Sequence, residues 1–170
     1  MRILLTGCQG QVGQSLYPRL GRLGEVTAVD RERVNLMDRT ALLELLAHTS
    51  PSLIVNAAAY TDVDGAESDR DSAFAINASA PSIIAGWAAK NKAAMVHFST
   101  DYVFDGRGTR PWREEDFPAP LNVYGESKLA GDRAVIDALD ACLIIRTSWV
   151  YTAHGKNFLS TMLRLGGEQK

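Results

Sequence analysis

The chain has 170 residues, 46% hydrophobic and 22% charged, the composition of an ordinary globular domain rather than of a disordered or fibrous chain. Eighteen basic residues against 20 acidic ones leave a formal net charge of −2, which removes the basic footprint of a general nucleic-acid binder. No apolar run approaches the roughly 18 residues that cross a bilayer, the start Met1-Arg2-Ile3-Leu4-Leu5-Thr6-Gly7 lacks a signal-length apolar region, and the two cysteines, Cys8 and Cys142, lie far apart, so a reduced, cytoplasmic chain without membrane segments is expected. Residues 3–6 read as a buried strand, after which Val12, Leu16, Leu20 and Leu23 recur at helical spacing. Residues 26–30 read as a second strand, and Asp38 is placed to cap a helix carrying Leu42, Leu43, Leu45 and Leu46. A third strand over 53–58 leads to a long Ala-rich helix over 71–90, then come a strand over 94–99, a helix over 123–139 and a strand over 143–146. Strict alternation of strand and helix predicts an α/β doubly wound parallel sheet with helices on both faces, formed by one dinucleotide-binding domain over 1–170. Pro18 and Pro81 fall inside helical segments, and a kink or a restart is expected at both, with Asn77-Ala78-Ser79 supplying the break before Pro81. Between residues 101 and 122 the pattern lapses into Gly- and Pro-punctuated loop, leaving the carboxyl end of the fourth strand where open parallel sheets bind ligands.

The turn after the first strand is Gly7-Cys8-Gln9-Gly10-Gln11-Val12-Gly13. Glycines at this spacing permit a tight turn, let backbone approach a pyrophosphate, and present the N–H groups of a helix start to phosphate. A purely structural turn would use the same residues. The context favours a dinucleotide: a strand before, a helix after, and an acid, Asp30, at the end of the next strand, 23 residues beyond Gly7 and placed to grip an adenine-ribose hydroxyl. The charge of Asp30 favours NADH, while Arg31 and Arg33 beside it, unless they are plain surface residues, allow NADPH.

Tyr124 and Lys128 stand four residues apart, on one face of the predicted helix. A carbonyl reductase must deliver a proton to oxygen as hydride reaches carbon, and a nearby cation would lower the pKa of a phenol toward that task. A surface helix with a snorkelling lysine is the plain alternative. Thr100 closes the fourth strand on the rim that carries the glycine turn, where its hydroxyl either shares a substrate carbonyl with Tyr124 or bonds its own backbone. His48, His97 and His154 are scattered without ligand spacing and read as core or surface histidines. Cys8 reads as a small loop filler, with a thiol activated at a helix start as the alternative. Asn157 and Phe158 open the last predicted helix.

Several blocks together resemble the extended short-chain dehydrogenase/reductases, and within them the reductases of 4-keto-6-deoxy nucleotide sugars. They are the glycine turn, residues 55–64 (Val-Asn-Ala-Ala-Ala-Tyr-Thr-Asp-Val-Asp), residues 99–106 (Ser-Thr-Asp-Tyr-Val-Phe-Asp-Gly), Pro120-Leu121-Asn122-Val123-Tyr124-Gly125 with Lys128, and residues 146–151. The resemblance implies a catalytic set of Thr100, Tyr124 and Lys128, with Lys128 also holding the nicotinamide ribose. It implies Gly10, Gln11 and Val12 at the pyrophosphate, Asp30 at the adenine ribose, Asn35 and Leu36 near the adenine, and Ala59, Tyr60 and Thr61 flanking the cofactor. Thr100, Asp101 and Trp149 would meet a dTDP-sugar substrate, with a core aromatic as the alternative for Trp149. The implied reaction is NADH- or NADPH-dependent reduction of dTDP-4-dehydro-β-L-rhamnose to dTDP-L-rhamnose. A related dehydratase or epimerase, or a non-catalytic dinucleotide-binding subunit, are the competing readings; Tyr102 stands where dehydratases carry a proton-abstracting Glu, which favours the reductase. Gln14-Ser15 replace the Glu of a magnesium-dependent dimer site, so no metal is expected, though a homodimer stays open. Members of this group run to nearly 300 residues, so the chain is expected to be a cofactor-binding portion largely without the substrate lobe.

Overall fold

The computed structural model describes residues 1–152 and 157–168; His154 lies outside the described residues. Five strands, β1 (Arg2–Thr6), β2 (Glu25–Val29), β3 (Leu53–Asn56), β4 (Ala94–Thr100) and β5 (Cys142–Thr147), form one sheet in the order β2-β1-β3-β4-β5. Every pairing is parallel, with Leu4 opposite Ile54, Val55 opposite Val96 and Phe98 opposite Ile145. Alternate side chains of β1 go to opposite faces. Leu4 joins a core with Ile54 and Met95 beneath three helices, α2 (Arg39–Thr49), α5 (Ala80–Asn91) and α6 (Val123–Ala138). Ile3 and Leu5 join Val55 on the other face, against Leu16 and Leu20 of α1 (Gln11–Leu20). The chain leaves β1 for one side of the sheet and returns through β3 on the other, so the carboxyl ends of β1 and β3 meet at a topological switch point, where the peptide parts to leave a crevice.

The helices start where their first side chain can absorb the free N–H groups. Asp38 accepts from Thr40 N and Ala41 N at the start of α2, and Asn122 accepts from Gly125 N at the start of α6. The stretch expected as one helix over 71–90 is three pieces: α4 (Arg70–Phe74), a π-helical turn (Ala75–Ser79) and α5, with Pro81 in the first positions of α5, where a missing N–H costs nothing. The chain does not break before Pro81: Ser79 and Ala80 keep right-handed helical backbone, and the departure is the wider π winding. At Pro18 the expected restart is also absent: α1 continues to Leu20, because an exposed proline two residues from the helix end removes only one backbone bond. A short helix, α3 (Val63–Ser68), escaped the sequence reading because six residues with Ala66 alone buried carry no legible period. The loop after β4 opens with a 3₁₀ turn (Asp101–Val103), and is then pinned by Ala119 N donating to Val103 O, by Phe104 stacked on Trp112 at 4.5 Å, and by Arg110 forking onto Asp116. The last helix, α7 (Phe158–Glu168), has no buried residue.

Candidate active site

The glycine turn closes the carboxyl end of β1. Gly7 takes a left-handed φ of 73°, and a Cβ on Gly13 would stand 2.2 Å from the Gly7 carbonyl, so the start of α1 lies directly on the turn. The first backbone bond of α1 runs from Gln14 N to Gly10 O, which leaves the N–H groups of Gln11, Val12 and Gly13 ahead of it. Gly10 is the N-cap and no side chain caps it, whereas α2, α3, α4 and α6 each begin with an Asp or Asn that does. The side-chain oxygen of Gln11 is also buried without a partner. An uncapped helix start of this kind is suited to an anion.

Beside the turn lies a cavity of about 570 Å³ over the switch point. Gly7 and Gly10 line one side of it and Asp30, Asn35 and Leu36 another; Ala59, Tyr60 and Thr61, from the loop after β3, complete the wall. Gln11, Val12 and Gly13 stay behind it in the helix start. Asp30 is the first residue past β2 and spends Oδ1 on Glu32 N and Arg33 N, which leaves Oδ2 directed by a fixed turn and free of internal bonds. Asn35 spends its carbonyl oxygen on Met37 N. Arg31 lines the cavity next to Asp30, so a 2′-hydroxyl and a 2′-phosphate each have a complementary group. These residues therefore fit a dinucleotide. Cys8 is not an activated thiol: burial and the charge of Asp30 push it above its ordinary value, and it packs with Ile3, Leu5 and Val55.

The sequence reading placed Asn77 only in the break before Pro81 and gave it no part in the site. It sits buried in the π-helical turn, and its side chain accepts from Tyr60 N at 2.9 Å while donating to Tyr60 O and to Ser127 Oγ, both at 3.0 Å. Ser127 in turn donates to Tyr124 O. One amide thus joins the cofactor-side loop to the helix that carries Tyr124. The signal was present in Asn77 lying four residues before Pro81, but a polar residue mid-helix does not announce its partner.

At the end of β4 the Thr100 hydroxyl lies near enough to the Tyr124 phenol to act on its charge. The backbone role weighed for Thr100 is realised: its oxygen accepts from Tyr102 N while its proton goes to Asp101 Oδ1, each at 3.2 Å. A Cβ on Gly125 would stand 2.3 Å from Tyr102 O, so glycine there is what lets α6 close on the 3₁₀ turn and bring the two hydroxyls together. Tyr102 stands edge-on to Tyr124 with ring centroids 5.6 Å apart. The expectation that Lys128 lowers the Tyr124 pKa is corrected. Burial pushes the phenol up, the Thr100 hydroxyl opposes the rise, and Asp101 and Tyr102 add to it; Lys128 is not among the groups acting on it. Lys128 is instead buried to 1% exposure beneath the site, where Nζ donates to Phe98 O at 2.6 Å and burial pushes its pKa down to about 8.

Asp101 borders a second cavity of about 380 Å³ on the other flank of β4, walled by Phe104 and Trp112 of the loop, Ile136 of α6, and Ile144 and Arg146 of β5. Trp149 is not a core aromatic: it is 70% exposed past the end of β5, at φ 46°, with its ring against Phe158 at 5.0 Å. Among the described residues no three His, Cys, Asp or Glu side chains gather as metal ligands, and no helix is long and apolar enough to cross a membrane.

The comparison with known proteins agrees with this geometry. The dTDP-4-dehydrorhamnose reductase of Escherichia coli K12 is 47% identical over 174 residues, an alignment covering 100% of this chain and 58% of that protein. The crystal structure of a dTDP-4-dehydrorhamnose reductase from Clostridium acetobutylicum superposes with a TM-score of 0.94 at 37% identity, covering 99% of this chain and 60% of the other. That of the Bacillus anthracis dTDP-4-dehydrorhamnose reductase in complex with NADP gives 0.93 at 36% identity, over 99% and 61%. The chain therefore spans less than two thirds of the length of these relatives. The model of the RmlD substrate binding domain matches residues 1–170, and the chain belongs to that family.

Proposed function

We propose that residues 1–170 are the dinucleotide-binding domain of a reductase that converts the C4 ketone of a dTDP-4-dehydro-6-deoxy sugar, dTDP-4-dehydro-β-L-rhamnose, to the alcohol, as the relatives' names indicate for them. The observation that carries the reading is that α6 closes on the carboxyl end of β4 at Gly125 and sets the Tyr124 phenol where Thr100 acts on it, on the rim that also holds the glycine turn and its cavity. Gly10, Gln11 and Val12 would hold the pyrophosphate at the uncapped start of α1, and Asp30 the adenine ribose. Asn35 and Leu36 would lie at the adenine, and Ala59, Tyr60 and Thr61 along the cofactor. The charge of Asp30 favours NADH, and Arg31 allows NADPH; the Bacillus anthracis relative is a complex with NADP.

When bound, the nicotinamide supplies the hydride. The chain's own part is proton delivery and orientation. Tyr124 Oη would give its proton to the ketone oxygen. Thr100 Oγ1, beside that phenol, would orient the same oxygen together with Asp101, and Trp149 would meet the sugar nucleotide. Lys128 would stand as a cation beneath the nicotinamide ribose, one helical turn from Tyr124. Tyr102 occupies the place of a proton-abstracting acid, and its exposed phenol sits against Tyr124, so proton removal next to the ketone finds no carboxylate there. A homodimer is compatible with the reading.

The test is turnover of full-length protein with NADH or NADPH and the dTDP-4-keto sugar. Tyr124→Phe is expected to lower kcat by about 10²–10⁴-fold while leaving dinucleotide affinity within about twofold. Turnover unchanged by that substitution refutes the assignment.

A further inference from the structure

One turn beyond Lys128 on α6, Asp132 is completely buried. Its Oδ2 accepts from Ser99 Oγ of β4 at 2.9 Å and from Arg146 Nε of β5 at 3.3 Å. Its Oδ1 has no hydrogen-bond partner and lies 3.9 Å from His97 Nε2, which is equally unpartnered. That imidazole supplies no charge. Asn56 Oδ1 accepts from Thr6 Oγ1 and Ala58 N, which orients the amide so that Asn56 Nδ2 donates to His97 Nδ1 at 3.0 Å. The single proton of His97 is therefore on Nε2, facing the carboxylate. Lys128 makes one hydrogen bond, to Phe98 O, and otherwise sits in the same apolar slot between α6 and β4.

The charges facing this slot are few. From β4 come His97, neutral, with the Ser99 hydroxyl and the Phe98 carbonyl, and from β5 comes Arg146, which also lies over the Phe104 ring. Glu67 of α3 and Arg70 of α4 are spent at the start of α6, on Val123 N and on Glu126. Asp101 of the 3₁₀ turn acts on Tyr124. Among the described residues Asp132 is therefore the one carboxylate that acts on Lys128.

We propose that Asp132 is a positioning residue for the reductase, its buried carboxylate being the countercharge that keeps Lys128 an ammonium and, through Ser99 and Arg146, the tie that fixes α6 against β4 and β5. This rests on the role given to Lys128 under the proposed function. Burial alone already drives the lysine down, and it reaches about 8 with Asp132 opposing that drop. Without the carboxylate the ammonium loses its only opposing charge and becomes neutral near physiological pH. An amine without charge can still donate to Phe98 O but offers no cation beneath a ribose.

The experiment follows the ¹³Cε resonance of Lys128 and the ¹³Cγ of Asp132 by NMR in full-length protein, from about pH 5 to about pH 11. In the unaltered protein Asp132 should be ionised throughout the range in which Lys128 loses its proton. An Asp132 that stays protonated across that range overturns the proposal, and this measurement needs no variant to fold. In Asp132→Asn the proton affinity of that lysine should fall at least tenfold, and Asp132→Glu should restore it; an unmoved titration in folded Asp132→Asn overturns the proposal as well. In the turnover assay the fall of kcat for Asp132→Asn should follow the shifted lysine titration, whereas a merely structural role would lower kcat equally at all pH values. Absence of any turnover in unaltered protein would sink the reductase reading while leaving the NMR result on Asp132 standing.

Discussion

Gly10 and Gly13 belong to one turn but answer to different constraints. A methyl on Gly13 would meet the Gly7–Cys8 backbone, with the Gly7 carbonyl oxygen at 2.2 Å and Cys8 Cα at 2.7 Å, and backbone does not move aside as a flexible side chain would. Gly13→Ala is expected to cost about 2 kcal/mol or more and to lower Tm by several degrees. At Gly10 the conformation is ordinary, φ −72°, and the only atom near a new methyl is the Gly7 carbonyl oxygen at 3.3 Å. Gly10→Ala should therefore fold with Tm within about two degrees, yet stand a methyl at the cavity wall and weaken NADH and NADPH binding at least tenfold. Thermal melts and a fluorescence titration of both variants decide it: a Gly10→Ala protein that melts early but binds normally would reverse the roles assigned to the two positions.

The π-helical turn over Ala75–Ser79 is where the two halves of the proposed site are joined, because its wider winding turns Asn77 inward to both Tyr60 and Ser127. Asn77→Ala would leave Tyr60 N and Tyr60 O unpaired and free Ser127, so a loss of about 2–4 kcal/mol is expected. KM for the dinucleotide should rise, because the loop carrying Ala59, Tyr60 and Thr61 loses its anchor. Asn77→Asp keeps the acceptor for Tyr60 N and loses the two donated bonds, so it should fall between the two in chemical denaturation; an Asn77→Ala protein as stable as the original would mean the amide is incidental. This turn also marks where the sequence ceases to be legible. Strands and their order follow from period and chain order: the runs around Leu4, Ile54 and Val96 are short, β-branched and unbroken, as buried parallel strands must be. The glycine turn, Asp30, Thr100 and Tyr124 were visible because each sits at a strand end or a helix start, which local residue types announce. Asn77 and Asp132 were not, because their meaning lies in partners 17 and 33 residues away on other elements. The Tyr124–Lys128 spacing was read correctly as one helix face but wrongly as one electrostatic unit: i and i+4 fixes a direction, not the depth at which a long side chain ends.

Taken across the molecule, the buried polar groups form a line that passes under the sheet from β1 to α6: Thr6, Asn56, His97 and Asp132. Its acid sensitivity follows from His97. The imidazole is fully buried, and burial, with the charge of Lys128 adding to it, lowers its pKa from the usual 6.5 to about 3. Between those values the unfolded chain takes up a proton that the folded chain refuses, so stability falls as pH drops below 6.5, by about 1.4 kcal/mol per unit, and the loss levels off only near pH 3. Asp132 works in the opposite sense: its folded pKa lies above 3.8, so over the window that begins there its contribution falls as pH rises. The two are separated by a variant that keeps the hydrogen bonds and removes the titration. In His97→Gln the side-chain oxygen can accept from Asn56 and the amide can face Asp132, but nothing ionises. Urea denaturation from pH 7 to pH 4 should then show a slope of unfolding free energy against pH lower by about one proton in His97→Gln than in the original protein, with the two curves converging above pH 7. Equal slopes would mean that His97 already carries its charge in the folded state, and that the line of groups beneath the sheet is held by an ion pair with Asp132 instead of a neutral imidazole.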